Sequence, residues 1–211
     1  MRPKMIANDA IVIFLLTSAA LAAAPGPDNI FVLTQSALHG KKAGIVITMG
    51  LCTGLLAHTL LVALGIATIV QTSPLAFSAL QTAGAIYLLY LAWLSIRAIP
   101  LAIDNNDKLT AGYSPLYRRG IIMNLMNPKV VVFFLAFLPQ FTNAEHELAV
   151  ALQVLILGAL FIIAAFFVFS SLAVGASLIT KSLLQNIKAQ RTANYIIALI
   201  FCVLAVNIVL T

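Results

Sequence analysis

Charged residues are scarce in this chain of 211 residues. Lysine, arginine, aspartate and glutamate together make up 9% of it, whereas soluble domains carry about 25%. Only six residues are acidic, and 62% of the chain is hydrophobic. So few polar side chains cannot cover a surface that faces water. The composition therefore excludes a soluble globular protein and predicts an all-α polytopic membrane protein.

Cysteine is also rare, since the chain has only Cys52 and Cys202. Both lie inside apolar runs, which indicates small buried hydrophobic side chains and excludes a disulfide framework. The acidic pair Asp104 and Asp107 matches no known spacing of metal ligands, so no metal and no cofactor are expected.

The apolar residues form six segments, each near or above the roughly 20 residues that a membrane-spanning helix needs. They predict six transmembrane helices at Ile6–Leu38, Ala43–Val70, Pro74–Ile96, Gly120–Phe141, Leu148–Thr180 and Thr192–Leu210. The N-terminus resembles a signal peptide, but cleavage before Pro25 would remove half of the first span. We expect an uncleaved first helix.

The net charge of +6 follows from basic residues in the short connections between these segments. Such a distribution is an orientation signal rather than a nucleic-acid-binding surface, so no nucleic acid is expected as a partner. Basic connections alternate with neutral or acidic ones. Placing the basic side in the cytoplasm predicts that both chain termini lie outside.

Prolines interrupt the first and fourth segments. Pro25, Gly26 and Pro27 break the first, and Pro128 breaks the fourth. Proline lacks a backbone N–H, and within a bilayer such a break is tolerated only where protein or a water-filled cavity satisfies the freed groups. Each break also carries a charge, because Asp28 follows Pro27 and Lys129 follows Pro128.

The matching breaks indicate an internal repeat. Residues 1–97 and 120–211 would each form three helices, joined by a cytoplasmic linker at 98–119. Because three is odd, the second half would enter the membrane from the opposite side, which gives two inverted three-helix repeats. The symmetry axis would bring Asp28 and Lys129 together near the midplane, where opposite charges offset the cost of burying either alone.

Several polar residues around the breaks are candidates for a substrate site. Asp28 is the candidate partner of a substrate ammonium group, and Lys129 with the helix N-terminus after Pro128 suits a carboxylate. Asp28 is also the candidate proton carrier, since burial favours its neutral form and a nearby cation its charged form. Further candidates for substrate binding are Asn29, Asn124, Asn127 and Tyr87.

Gly50, Gly54 and His58 recur at every fourth position and so share one helix face. Small residues let helices approach closely in lipid, and such faces also permit a homodimer. His58 is either a proton-relay residue, because imidazole titrates near neutral pH, or a structural histidine.

At these residues the chain resembles the LysE/RhtB family of small six-helix amino-acid exporters. The resemblance rests on Pro25-Gly26-Pro27-Asp28, on His58 in its glycine-spaced helix, on Gly84 with Tyr87-Leu88, and on the run from Asn124 through Asn127-Pro128-Lys129 to Phe141. It implies a secondary exporter of amino acids or their derivatives in the bacterial cytoplasmic membrane, driven by the proton gradient, and not an enzyme.

Two other functions remain open from the residues alone. A membrane thiol–disulfide carrier would need two cysteines within bonding reach, and Cys52 and Cys202 lie in non-corresponding helices. A metal-ion exporter would need clustered carboxylates, histidines or thiolates within the spans, where only Asp28 and His58 are available and Lys129 would repel a cation.

Overall fold

The computed structural model describes residues 8–72, 74–98, 112–143, 145–178 and 187–210, and it is helical almost throughout these ranges. In chain order the helices are α1 (Asn8–Ala23), α2 (Pro27–His39), α3 (Lys41–Thr72), α4 (Pro74–Arg97), α5 (Tyr113–Leu125), α6 (Pro128–Val132), α7 (Val150–Leu178) and α8 (Ile187–Leu210). After α6 the chain continues through a π-helical turn, Phe133–Phe137, and a 3₁₀ turn, Leu138–Phe141. The all-α fold class is confirmed.

Both predicted helix breaks are present. Ile11–Ala23 of α1 and α2 meet at 62° around Pro25 and Gly26, and α5 and the Pro128–Phe141 segment meet at 50° around Asn127. Each proline at these bends removes one N–H from the helical ladder, which is the physical cause of the break. Pro27 and Pro128 then occupy the first position of the following helix, where the missing N–H costs nothing.

Two helices in the described ranges are each long and apolar enough to cross a bilayer, namely α3 over Lys41–Gly65 and α7 over its whole length. The two bent pairs reach that length when each is counted as one span, and α4 and α8 contain shorter apolar stretches at Thr82–Arg97 and Gln190–Val206. The chain is therefore a multi-pass membrane protein. The order of broken pair, long helix and shorter helix occurs twice.

Close contacts between helices fix their relative directions. Gly44 of α3 meets Ala173 of α7, and further along α3 Thr59 meets Gly158, so α3 and α7 run antiparallel. On the opposite side of α3, Gly50 meets Tyr117 and Gly54 meets Asn124, so α3 and α5 run parallel. The glycine face predicted on the second span thus packs against the broken fourth span.

The fourth span differs from its prediction at its start. The sequence placed its beginning at Gly120 and a linker over 98–119, but α5 begins at Tyr113, so the end of that linker is helical. Hydropathy detects the part of a helix that lies in lipid, and it misses a polar start such as Tyr113 to Arg119 of α5. Pro115 is compatible with helix there because it lies in the first turn. Residues 99–111 of the linker lie outside the described residues.

We expect Gly120→Ala to destabilise the protein. A Cβ at Gly120 would lie 2.6 Å from the Ile47 carbonyl oxygen and 3.2 Å from Gly50 Cα, and backbone atoms cannot move away without separating α3 from α5. Overpacking of this kind costs roughly 1–3 kcal/mol. Thermal unfolding in detergent measures the effect. Gly175→Ala is the control, because a Cβ there meets nothing within 4 Å. Equal melting temperatures for the two variants would contradict this account of the α3–α5 contact.

Candidate functional site

The first break leaves backbone carbonyls of α1 without their helical donors. Leu21 O would normally accept from residue 25, but Pro25 has no N–H, and only Ala24 N, which also bonds Ala20 O, reaches it at 3.2 Å. Two side chains supply donors instead. Asn29 Nδ2 donates to Ala22 O at 2.7 Å, and Lys129 Nζ donates to Leu21 O at 3.2 Å and Ala24 O at 3.0 Å. The break is therefore satisfied by protein, partly from the other broken span.

Gly26 allows this approach of Lys129. Its backbone is extended, and a Cβ built on it would lie 3.2 Å from Lys129 Nζ. A side chain at this position would press on the ammonium group and compete for the space that it occupies.

The second break is satisfied in a similar way. Asn124 O loses its helical donor because Pro128 lies four residues later. Asn127 N donates to this oxygen at 3.0 Å, and His58 Nε2 lies 3.3 Å from it. Since a carbonyl oxygen only accepts, His58 donates through Nε2. Asn127 Oδ1 accepts from Lys129 N at 3.0 Å and so caps the restarted helix.

One amide joins the two breaks directly. Asn127 Nδ2 donates to Asp28 Oδ2 at 2.8 Å, while its Oδ1 holds the Lys129 backbone. Both bonds fix the same orientation of the amide group. Asn127 is therefore a rigid link between the start of α2 and the start of α6.

Asp28 and Lys129 lie on one cavity but are not in direct contact. In the described residues around them, no ion pair within 4.0 Å joins the two, and Lys129 instead binds the carbonyls of the first break. The close ion pair expected from the sequence is therefore not formed. The ammonium group is bonded instead to Ala24 O, and to Leu21 O, which has lost its regular helical donor at Pro25 and otherwise accepts only from Ala24 N at 3.2 Å.

The cavity lies between the breaks and contains about 240 Å³ not filled by atoms. Its polar lining consists of Asp28, Asn124 and Lys129, and the remaining wall is apolar, formed by Leu21, Ala22, Leu55, Val130, Phe161 and Phe169. The centre of a water molecule can occupy only about 10 Å³ of this space, which is roughly the room for one water. The two breaks must therefore separate to admit a larger ligand.

Some of the polar atoms around this cavity have no partner. Asp28 Oδ1, Asn29 Oδ1 and both amide atoms of Asn124 are buried without a hydrogen bond, and Asp28 and Asn124 are each only 1% exposed. Unpaired buried polar atoms cost free energy, and a ligand that pairs them recovers it. The unpaired atoms are mainly acceptors, which suits a ligand with an ammonium group.

Comparison with known proteins identifies the family of this chain. The family model described as LysE type translocator matches residues 19–211. This chain belongs to the LysE type translocator family. The translocator is 40% identical over 149 residues to the homoserine/homoserine lactone efflux protein of Salmonella typhimurium (strain LT2), and 39% identical to that of Salmonella typhi. Each alignment covers 69% of both chains. No solved structure matches the chain.

Membership of a translocator family makes the protein a transporter rather than an enzyme. The candidate site of the translocator is the cavity between the two helix breaks. Asp28, Asn124 and Lys129 line the cavity. Asn29 and Asn127 do not line it, but their side chains form hydrogen bonds across the breaks.

Two predicted site residues lie apart from the cavity of the translocator. Tyr87 is half-buried on α4, with its ring centroid 5.9 Å from that of Tyr90, and it is absent from the lining. Gly84 of α4 contacts Ala136 of the second broken span. Ala136 follows Lys129 by seven residues, so this contact lies roughly 10 Å from Lys129 along the span. His58 is buried between the Asn124 carbonyl and the Phe134 ring.

The apolar wall of the site was not predicted from the sequence. Phe161 and Phe169 are eight residues apart and share one face of α7. That helix is apolar on every face, so periodicity gives no signal of which face points inward. Leu55 follows Gly54, and only the glycine spacing on α3 hinted at its location.

Proposed function

We propose that this translocator exports amino acids or close derivatives from the cytoplasm across the bacterial inner membrane in exchange for protons. The observation that carries the proposal is the cavity between the breaks. It presents a buried carboxylate with one unpaired oxygen, Asp28 Oδ1, and a buried ammonium group on Lys129. An amino acid carries the complementary two charges. The names of the Salmonella relatives support homoserine and its lactone as the first substrates to test.

In the proposed complex the substrate ammonium binds Asp28 Oδ1, which requires no existing bond to break. The substrate carboxylate binds Lys129, which leaves Leu21 O and Ala24 O to reach it. Because Lys129 joins α6 to the end of α1, this exchange loosens the link between the two breaks. Substrate binding would in this way promote the separation that the small cavity requires.

Proton coupling follows from competition at Asp28. A substrate ammonium and a proton both neutralise the carboxylate, so only one of them occupies it at a time. The carrier moves outward with substrate on Asp28 and returns with a proton there. This antiport cycle uses the inward proton gradient to drive export.

We further propose that alternating access arises from two inverted repeats of three spans, residues 1–97 and 113–211. The repeated order of broken pair, long helix and shorter helix supports this arrangement. The antiparallel contact of α3 with α7, which occupy equivalent places in that order, is what a symmetry axis in the membrane plane requires. Asn127 and Lys129 then link the two halves at that axis.

Uptake into inside-out membrane vesicles tests the proposed function, because export from the cytoplasm becomes accumulation in the vesicle lumen. We expect vesicles containing the protein to accumulate labelled homoserine several-fold above empty vesicles when the lumen is acidic, and a protonophore to abolish the difference. Accumulation equal to that of empty vesicles for homoserine, its lactone and the common amino acids would overturn the proposal.

Two variants serve as controls in the same assay. His58→Gln keeps a donor for Asn124 O, so we expect near-normal uptake. A loss of uptake together with an altered dependence of uptake on pH would instead make His58 the residue that carries the proton. A variant with Cys52 and Cys202 replaced by serine should also retain uptake, and its failure would favour the thiol–disulfide carrier.

A further inference from the structure

The Asn124 side chain has a complete set of unused hydrogen-bonding groups. Neither Nδ2 nor Oδ1 has a partner, the residue is 1% exposed, and it lines the cavity between the breaks. Nearly all buried polar side chains in folded proteins are paired. An amide left with both its donor and its acceptor free therefore indicates a ligand that offers both.

The surroundings of Asn124 confine this amide between α3 and the cavity. Gly54 lies directly behind it, since a Cβ there would come within 2.7 Å of Oδ1 and 2.8 Å of Asn124 Cβ. The Asn124 carbonyl is held by His58 Nε2 and Asn127 N. The side chain cannot retreat into α3 without a clash, and its backbone is fixed.

Asp28 does not satisfy both hydrogen-bonding groups of the Asn124 amide. Asn124 lies close enough to the carboxylate to interact with it, but not in the alignment of a full hydrogen bond, and Asp28 Oδ2 is already bonded to Asn127. The ionised oxygens of Asp28 only accept, so they could pair with Nδ2 alone. Asn124 Oδ1 would still lack a donor.

We propose that Asn124 selects substrates by their side chain and favours a short one with a hydroxyl group. A hydroxyl donates to Oδ1 and accepts from Nδ2, whereas an aliphatic side chain of the same size leaves both atoms unpaired in a site closed to water. Sites built to bond a hydroxyl reject the analogue that lacks it much more strongly than apolar pockets reject a changed methyl group. The inference rests on the proposed function and adds a residue that determines its specificity.

Threonine and valine provide the test, because they have the same shape and differ by one hydroxyl. We expect wild-type protein in inside-out vesicles to transport threonine at least about tenfold more efficiently than valine, compared as initial rate divided by concentration. In Asn124→Leu the ratio should fall to about one, because the leucine side chain has nearly the same volume and no polar atoms. In Asn124→Ser, which keeps a hydroxyl, a preference for threonine should remain.

A second pair of variants probes the same amide without replacing it. Gly54→Ala should displace the Asn124 side chain and reduce the threonine preference. Gly65→Ala on the same helix meets nothing within 4 Å and should leave the preference unchanged.

The outcomes separate this inference from the proposed function. Equal transport of threonine and valine by the wild type overturns the role of Asn124 while export itself stands, and this measurement needs no variant to fold. An equal loss of both substrates in Asn124→Leu would overturn it too, since Asn124 would then bind the groups common to all amino acids. If no amino acid is transported at all, the proposed function fails first.

Discussion

Asp28→Asn is expected to reduce export at least about 100-fold while the protein remains folded. Asparagine keeps an oxygen that can accept from Asn127, so the link between α2 and α6 survives. The substrate ammonium loses its only anionic partner in the cavity lining, and removing one member of a desolvated charge pair costs about 2–5 kcal/mol. Proton exchange at this position also ends, because an amide does not titrate. The initial rate of homoserine uptake into inside-out vesicles measures the loss.

Glu145→Gln is the matched control for this substitution. It removes the same charge from an exposed residue in the connection before α7, where we expect no effect on uptake. Asp28→Glu keeps the charge but lengthens the side chain within a narrow cavity, and it should retain partial activity. Export by Asp28→Asn at a rate close to wild type would remove Asp28 from both substrate binding and proton coupling.

The breaks could be predicted from the sequence because they follow from a local chemical property. Pro25, Pro27 and Pro128 lack an N–H wherever they occur, so a helical ladder fails at these positions in any tertiary context. A charged residue within an apolar segment, such as Asp28 or Lys129, can likewise be recognised from the neighbouring sequence alone. Both features are visible without knowing which helices pack together.

The partners of these groups could not be predicted in the same way. Whether Lys129 binds a carboxylate or the carbonyls of Leu21 and Ala24 depends on where two distant segments meet. The simplest expectation from opposite charges was a direct ion pair with Asp28. The structure shows instead that carbonyl oxygens at a helix break compete well for an ammonium group when both are buried.

The apolar parts of the site mark another limit of sequence analysis. In a soluble protein the inward face of a helix differs in polarity from the outward face, but in lipid both faces are apolar. The sequence therefore could not separate Phe161 and Phe169 from the lipid-facing residues of α7. Tyr87 shares one side of the third span with Gly84, which suited either packing or a role in the site, and its side chain does not line the cavity.

Lys129→Met is expected to impair both export and stability, because Lys129 does two things. Its ammonium group pairs the carbonyls of Leu21 and Ala24, and it offsets the buried charge of Asp28. Methionine has a similar length but supplies neither donor nor charge. Leaving the buried Ala24 O unpaired costs about 1–3 kcal/mol, whereas Leu21 O keeps the bond from Ala24 N. Thermal unfolding in detergent and homoserine uptake should therefore both decline, and Lys42→Met, at an exposed position, should change neither.

The double variant Asp28→Asn with Lys129→Met separates the two contributions. Without the carboxylate, the lost ammonium no longer leaves a negative charge uncompensated, so the double variant should be more stable than the sum of the single effects predicts. The recovery should be incomplete, because Ala24 O still lacks its donor and Leu21 O keeps only the bond from Ala24 N. Full recovery would show that Lys129 stabilises the protein only through Asp28, whereas no recovery would show that the carbonyl contacts alone matter. Export should stay absent in either case, since the substrate would meet neither charge.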